Sequence, residues 1–464
     1  MVWNMRRIST FFAALLLLAA TLPGVAHAAA ALSGRTHLFY YPWYGGSSTG
    51  YRHWVQGGHT PPDDVGANFY PVLGPYDSGD FAGTVEQHMR WIEQSGAGVI
   101  VYSWWGQGSY EDGLATGVLE AAARHGIKVA WHLEPYSGRT AASTVSDIGY
   151  LQSRYGSSPA YYREGGRGAF YVFESLRITD WTPLDQVRSS AIVLAQTTDT
   201  SKVAHFGGMY TYDAIAGATA PGWSGASAYC KANGLVWAPS VGPGYNDDRA
   251  VPGNTTPTLS RDNGATYDRE WQNALASNAD WVSVTSFNEW HEGSIIEPAR
   301  SSPPSGAYET FAGAYGTSGA ASETAYLDRT RYWAAQLATP SGNVALGKAA
   351  SATGSQGGFP PGNAVDGNAS SYWESTNNAF PQTFTVDLGS AASRLVLKLP
   401  PSWGARTQTI AVNGGSPAGY VFDPANGNTV TIPVSGTDHS VRLTFTGNTG
   451  WPAGQLSEVE AYAS

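Results

Sequence analysis

Eight apolar runs recur along the first two thirds of the chain: HLFYY (37–41), GVIVYS (98–103), KVAWHL (128–133), AFYVFE (169–174), AIVLAQ (191–196), AHFGGMYTY (204–212), LVWAPS (235–240) and WVSVTSF (281–287). Runs that stay apolar instead of alternating predict strands buried on both faces. Helical periods lie between several of them. Val85, Met89 and Ile92 share a face near 83–95, Leu114, Val118, Leu119 and Ala122 share one near 112–125, and Tyr267, Trp271, Ala274 and Leu275 follow the same spacing over 266–277. Gly126 supplies a stop for the second helix. Buried strands alternating with helices predict an α/β fold, a (β/α)₈ barrel over residues 32–338 whose last helix spans about 322–337. An open doubly wound sheet is the alternative, but no glycine-rich phosphate turn follows the first strand.

The pattern changes after a glycine-, serine- and proline-bearing linker at 339–343. Phe384, Val386 and Leu388 alternate with polar neighbours, as do Leu395, Leu397 and Leu399, and Val441, Leu443 and Phe445. Such a period of two predicts an all-β sandwich over 344–464.

Composition narrows the setting. Arg6 and Arg7 precede FFAALLLLAA, and Ala26-His27-Ala28 provides the small residues of a cleavage site, so residues 1–28 read as a signal peptide and the protein as secreted. Losing two of 26 basic residues leaves 24 against 36 acidic ones, a net charge of about −12 that disfavours nucleic acid or anionic lipid as partner. No later run is long enough to span a membrane. The single cysteine, Cys230, excludes an internal disulfide and reads as a small buried apolar side chain. The 17 tryptophans and 26 tyrosines suit stacking on sugars as well as core packing. A monomer is expected.

A barrel places its chemistry at the C-terminal ends of its strands. Those ends carry Tyr41 and Trp43, Trp104 and Trp105, His132 and Glu134, Glu174, Tyr210 and Tyr212, and finally TSFNEWHEGSIIEP (285–298) with Glu289 and Glu292. Three residues apart, these two glutamates share a side only if the chain turns, and Gly293 makes a tight turn easy. Asn288 and His291 offer hydrogen bonds to a carboxylate or a hydroxyl. Two carboxyl groups among rings can take different pKa values, one acting as base and one as acid, as glycoside cleavage requires. Glu297, before Pro298, reads as a brace for the loop. A zinc reading through His53, His59, His132 and His291 lacks an H-E-x-x-H spacing, and no G-x-S-x-G elbow supports a serine hydrolase.

The motifs YYPWYG (40–45), PPDDVGANFYPVLGPY (61–76), HLEPYS (132–137), SVGPGYNDDR (240–249) and SFNEWHEGSIIEP (286–298) together resemble glycoside hydrolase family 99, the endo-α-1,2-mannosidases and endo-α-1,2-mannanases. The resemblance spans about 36–340 and implies a (β/α)₈ barrel that cleaves α-mannosidic linkages with retention, with no cofactor for catalysis. It implies that Glu289 acts as base on the 2-hydroxyl of the mannose being cleaved, giving a 1,2-anhydro sugar, and that Glu292 is the general acid and then the base for water. It also carries over substrate-binding positions at Tyr41, Trp105, Glu134, Tyr212, Arg249, Asn288 and His291, with a structural role as the alternative for Tyr41, Glu134, Tyr212, Arg249 and Asn288. Trp105 lies in SWWG (103–106), where members differ according to whether glucose or mannose precedes the scissile bond; a tryptophan resembles the mannan-directed members. Ser294-Ile295 stands where many members have Thr-Gln, a place where substrate contacts are expected to differ.

The C-terminal stretches NVALGKAASATG (343–354), AVDGNASSYWES (364–375) and QLSEVEAY (455–462) resemble the discoidin, or coagulation factor 5/8 type C, fold that serves as a carbohydrate-binding module. The resemblance implies a structural calcium near the Asp-Gly-Asn turn, with Asp366 and Glu460 as candidate ligands; Trp403 and Trp451 read either as exposed loop rings for sugar or as core or rim packing. The expected partner is thus α-mannan or another mannose-containing glycan. Another α-glycanase or a transglycosylase using the same acids, or a non-catalytic carbohydrate-binding protein, are the alternatives.

Overall fold

A computed structural model describes residues 32–337 and 343–462; the signal peptide expected at 1–28 and most of the linker at 339–343 lie outside the described residues. The chain forms two compact units, dividing between Leu337 and Ala338.

The first unit is a closed parallel barrel. Its strands are β1 (Ser33–Tyr40), β2 (Ala97–Trp104), β3 (Lys128–Leu133), β4 (Arg167–Val172), β5 (Ala191–Gln196), β6 (Gly208–Tyr210), β7 (Val236–Ala238), β8 (Ser240–Val241) and β9 (Val282–Val284). Neighbours pair in chain order, and β1 pairs with both β2 and β9, so the sheet closes and the open doubly wound alternative falls. Nine segments make eight staves because Pro239, which has no N–H to give the ladder, divides the seventh. Its first half pairs with β6 and its second with β9, while the Pro239 carbonyl accepts the Ser283 N–H at 3.0 Å.

The helices on the outside are α1 (Glu86–Gln94), α2 (Tyr110–Arg124), α3 (Ala141–Tyr155), α4 (Trp223–Ala232), α5 (Ala265–Ala276) and α6 (Ala325–Leu337). Their ends have visible causes: Asp80 caps the π-helical turn leading into α1, Ser109 caps α2, and Thr140 and Ser143 form a capping box on α3. Gly126 closes α2 at φ 69°, a left-handed conformation that glycine adopts freely. Alternation is incomplete after β4 and β5, where the 3₁₀ turns Ser175–Arg177, Thr182–Gln186 and Thr200–Lys202 stand in place of α-helices. On α2, Leu114 is only half-buried, and Ala115 and Ala121 join Val118, Leu119 and Ala122 on the inner face.

Rings fill the bore. Phe39 lies 4.7 Å from His132 and 5.6 Å from Tyr171, His37 stacks on Trp281 at 4.8 Å, and Tyr171 shares a hydrogen bond with His37 Nδ1 at 2.8 Å. Cys230 is buried on α4, which pushes its thiol up to about 12. No described helix is long and apolar enough to cross a membrane.

The second unit is an antiparallel sandwich. Two long strands, β11 (Gln382–Lys398) and β14 (Thr429–Asn448), pair along both halves with a register break between Asp387 and Ala392. That break turns the corner: before it β11 also pairs with β10 (Ala350–Ala352), and after it with β15 (Glu458–Tyr462). β12 (Arg406–Val412) and β13 (Ala418–Phe422) complete the sheet. The alternating residues named from the sequence, Phe384 to Leu388, Leu395 to Leu399 and Val441 to Phe445, are all buried and form its core with Trp373.

Candidate active site

The catalytic candidates sit where β9 leaves the barrel. After the cis Thr285–Ser286 peptide, the Glu289 N–H donates to Ser286 Oγ at 2.7 Å, and the chain enters a single 3₁₀ turn, Trp290–Glu292. Glu289 caps that turn, accepting the His291 N–H at 3.1 Å, and Gly293 ends it at φ 58°. A Cβ at Gly293 would come within 2.6 Å of the Asn246 carbonyl, so glycine is required on steric as well as conformational grounds. The turn delivers both carboxylates to one side.

Their electrostatics follow from that placement. Burial, then the neighbouring charge of Glu292 and of Glu134, holds the Glu289 carboxyl well above the usual carboxylate range. Burial together with Asp247, Asp213 and Glu134 pushes Glu292 up to about 7, against the Tyr212 hydroxyl, which donates to its Oε2 at 3.5 Å. The two carboxyls titrate as a pair, and near neutral pH the pair retains a proton. One proton between two carboxyls is what acid and base duties on one bond require.

The remaining residues singled out from the sequence divide into two groups. Tyr41 and Tyr212 join hydroxyl to hydroxyl at 2.5 Å beside Glu292. Glu134 is buried, accepts from Ser103 Oγ at 2.7 Å and lies 2.9 Å from His132 Nδ1. His291 donates through Nε2 to the His53 carbonyl at 2.7 Å, and burial lowers its pKa, so the ring is neutral and turns Nδ1 toward Glu289 at 3.5 Å. Trp105 is half-buried beside Trp43, which stacks on the His53 ring at 4.7 Å; the indole N–H groups of both tryptophans have no partner.

Asn288 and Arg249 form the second group, whose polar atoms meet other protein groups. Asn288 is fully buried and spends its amide on the protein, accepting from the Tyr41 N–H at 2.7 Å and donating to the Tyr41 carbonyl at 2.9 Å. It clips the β9 loop to the β1 loop. Arg249 donates to Asp64 at 2.7 Å and to the Val65 carbonyl at 3.2 Å, while its guanidinium covers the Tyr308 ring. That pins the long loop after β1. Ser294 and Ile295 are likewise wholly buried, Ser294 meeting Ser286 Oγ at 3.2 Å, so this departure lies inside the wall of the site and not on its sugar-facing surface. Glu297 braces the loop: it accepts from Tyr76 and Trp290 at 2.8 and 2.9 Å and faces His88 at 3.2 Å.

Asp247 was missed by sequence reasoning. It is buried after β8, one oxygen accepting from Tyr245 at 3.1 Å and the other without a partner, and it raises the Glu292 pKa. Its signal was position just past a barrel strand, obscured by the more conspicuous Arg249 two residues on.

Among the described residues no group of three or more His, Cys, Asp and Glu is placed to hold a metal ion. In the second unit Glu460 accepts from Lys398 at 2.6 Å and from Tyr462 at 2.7 Å. Glu458 also lies beside Asp366. It is buried, both its oxygens lack partners, and burial with the Asp366 charge pushes it up to about 8. A buried, unpartnered carboxylate next to a second acid fits a cation.

An eight-stave barrel that opens paired carboxylates onto tyrosine and tryptophan rings defines a carbohydrate-active hydrolase. The chain belongs to glycosyl hydrolase family 99, whose family model matches residues 31–339, and it is a glycoside hydrolase. The model of the NedA-like, galactose-binding domain matches residues 363–450. A glycoprotein endo-alpha-1,2-mannosidase-like protein of Danio rerio is 36% identical over 312 residues, covering 57% of this chain and 70% of the relative. The glycoprotein endo-alpha-1,2-mannosidase of Xenopus laevis is 36% identical, covering 57% and 69%. The solved GH99 endo-alpha-mannosidase of Bacteroides thetaiotaomicron is 33% identical, with a TM-score of 0.59 over 66% of this chain and 98% of that one.

Proposed function

We propose that the protein is a secreted, monomeric, retaining endo-α-1,2-mannosidase of mannan-like glycans, in which Glu289 is the base and Glu292 the acid. The observation that carries this reading is the pair itself: two carboxyls on one turn, both raised, Glu289 by burial and then Glu292, and Glu292 by burial and then Asp247, beside the Tyr41–Tyr212 hydroxyl pair.

In the first half-reaction Glu289 takes the proton of the mannose 2-hydroxyl. O2 attacks C1 as the glycosidic C1–O bond breaks, and Glu292 gives its proton to the departing oxygen. In the second half-reaction Glu292 takes a proton from water, the water oxygen bonds C1 as the C1–O2 bond opens, and Glu289 returns its proton to O2. Two inversions leave the anomeric configuration unchanged. The route selects mannose by geometry, because its 2-hydroxyl is trans to an α-linked leaving group and in line with the bond to be broken, whereas that of an α-glucoside is cis. A base held above the usual carboxylate range is also better matched to a weakly acidic hydroxyl.

Trp105 supports mannose before the scissile bond. In the second unit Trp403 and Trp451 support a role in holding polymer, and Asp366 with Glu458 would hold a structural calcium that ties β15 to the Asp366 turn. The deciding experiment incubates the enzyme with defined α-mannans and glucosylated mannosides and follows the product anomer by NMR from the first turnover. Early release of the α anomer from α-1,2-mannan is expected; early β anomer would overturn retention, and no cleavage of any α-mannan would overturn the substrate class.

A further inference from the structure

The loop that presents Trp105 is held by a network of its own. Trp104 Nε1 donates to Asp112 Oδ1 at 2.9 Å and the Gly108 N–H to Asp112 Oδ2 at 3.0 Å, which pins both ends of the segment to the first turn of α2. Its middle is pinned to α3: Gln107 Nε2 donates to Asp147 Oδ1 at 3.0 Å, and Tyr136 donates to the other oxygen of Asp147 at 2.6 Å. The Tyr136 ring lies against Gly106, where a Cβ would meet it at 3.4 Å and where φ is 104°. Asp147 is buried on the inner face of α3, so this carboxylate is committed to the loop and not to solvent. All of these contacts go to other atoms of the protein, and the Trp105 indole N–H is left without a partner.

A ring whose neighbours on both sides are fixed presents one shape to a sugar, and selection between two hexoses differing at one hydroxyl depends on such fixed shape. We propose that Asp147, acting through Gln107 and Tyr136, is a positioning residue that sets the preference of the Trp105 wall for mannose over glucose before the scissile bond. This rests on the reading of Trp105 given above. Asp147 touches neither Glu289 nor Glu292, so loosening the brace acts on discrimination and leaves the bond-breaking step intact.

The test compares Asp147→Asn, Gln107→Leu and Trp105→Ala with the parent on three substrates: a mannosyl-mannoside, a glucosyl-mannoside, and α-mannosyl fluoride, which fills only the cleavage position. For Asp147→Asn and Gln107→Leu the ratio of kcat/KM between the two disaccharide substrates is expected to fall about tenfold, with turnover of the fluoride within about twofold of the parent. Gln107→Leu removes one surface-side donor and keeps the fold testable if Asp147→Asn lowers Tm. If Trp105→Ala shifts the ratio while both brace variants leave it unchanged, the inference about Asp147 is overturned and the reading of Trp105 stands. An unchanged ratio in Trp105→Ala overturns both. Equal losses on all three substrates in the brace variants would show a merely structural role.

Discussion

The two units bury their interiors differently. The sandwich hides alternating aliphatic and phenylalanine side chains, Val386, Leu395, Leu443 and Phe445 among them, whose only requirement is close packing. The barrel bore holds His37, His132, Tyr171 and Tyr210, each with a polar atom that needs a partner. Moving up the bore, those partners give way to Glu134, Glu289 and Glu292, whose charges oppose one another. One interior is optimised for stability; the other carries a cost at its C-terminal end that chemistry can use.

The sharpest break of that comparison is Glu289→Gln or Glu292→Gln. Either change should lower kcat/KM on α-mannan by at least about 10³-fold, about 4 kcal/mol of transition-state stabilisation. Because each removes a buried charge held close to another, thermal unfolding should occur at the same or a higher temperature. Unchanged cleavage by either variant, with circular dichroism showing a native fold, would remove that glutamate from the mechanism.

Truncations in the two cores should separate stability from function. Leu443→Ala in the sandwich is expected to cost about 2–5 kcal/mol in urea unfolding while hydrolysis of a short soluble mannoside is unchanged. Glu297→Ala in the barrel should cost about 3 kcal/mol by leaving His88, Tyr76 and Trp290 without their shared acceptor, and should also lower kcat, since Trp290 lies between the two acids. Equal kinetic effects of the two truncations would deny the division.

The raised pKa of Glu292 gives a pH test with a definite sign. A carboxyl at about 7 in the folded protein and near its ordinary value when unfolded binds more protons folded than unfolded. Its contribution to stability is therefore full below the ordinary carboxylate range and is lost as pH rises through about 7. Catalysis falls over the same upper range, because the acid loses its proton. In Glu292→Gln, Tm against pH should flatten between about 5 and 7, and an unchanged slope there would assign the effect to another group.

Much of this was legible in the sequence because the barrel strands are apolar on both faces and their runs stand out whole: KVAWHL and AIVLAQ coincide with β3 and β5. The position of the paired glutamates just past the last strand was legible for the same reason. α3 was not, since its inner face carries Thr144 and Asp147 beside Ile148 and Leu151, and polar residues there break the period. α4 buries Trp223 at its start, but the rest of its inner face, Ala226, Ser227 and Cys230, is too small to register. An amide and a guanidinium near a site suit hydroxyls, and only coordinates reveal that Asn288 also clips Tyr41 and that one end of Arg249 holds Asp64 and Val65. Glu458 and Glu460 are equivalent in EVEAY and share a face of β15; only coordinates show that Lys398 and Tyr462 satisfy Glu460 while Glu458 accepts from neither.

The smallest expected effect tests whether the sandwich contributes anything but stability. Trp451 is 47% exposed, and its indole N–H donates to Glu374 at 3.1 Å, which fixes the ring's edge and leaves a face to solvent. Such a ring can lie against the apolar face of a pyranose. Removing it costs little stability, because Glu374 still accepts from Gln455 at 2.8 Å. Trp451→Ala should therefore weaken retention on insoluble mannan in affinity electrophoresis by about threefold to tenfold, with a Tm within about 2 °C of the parent and unaltered turnover of a short soluble substrate. If retention is unchanged, Trp451 is a rim residue and polymer is held elsewhere; if soluble turnover falls as well, the division of labour between the two units is wrong.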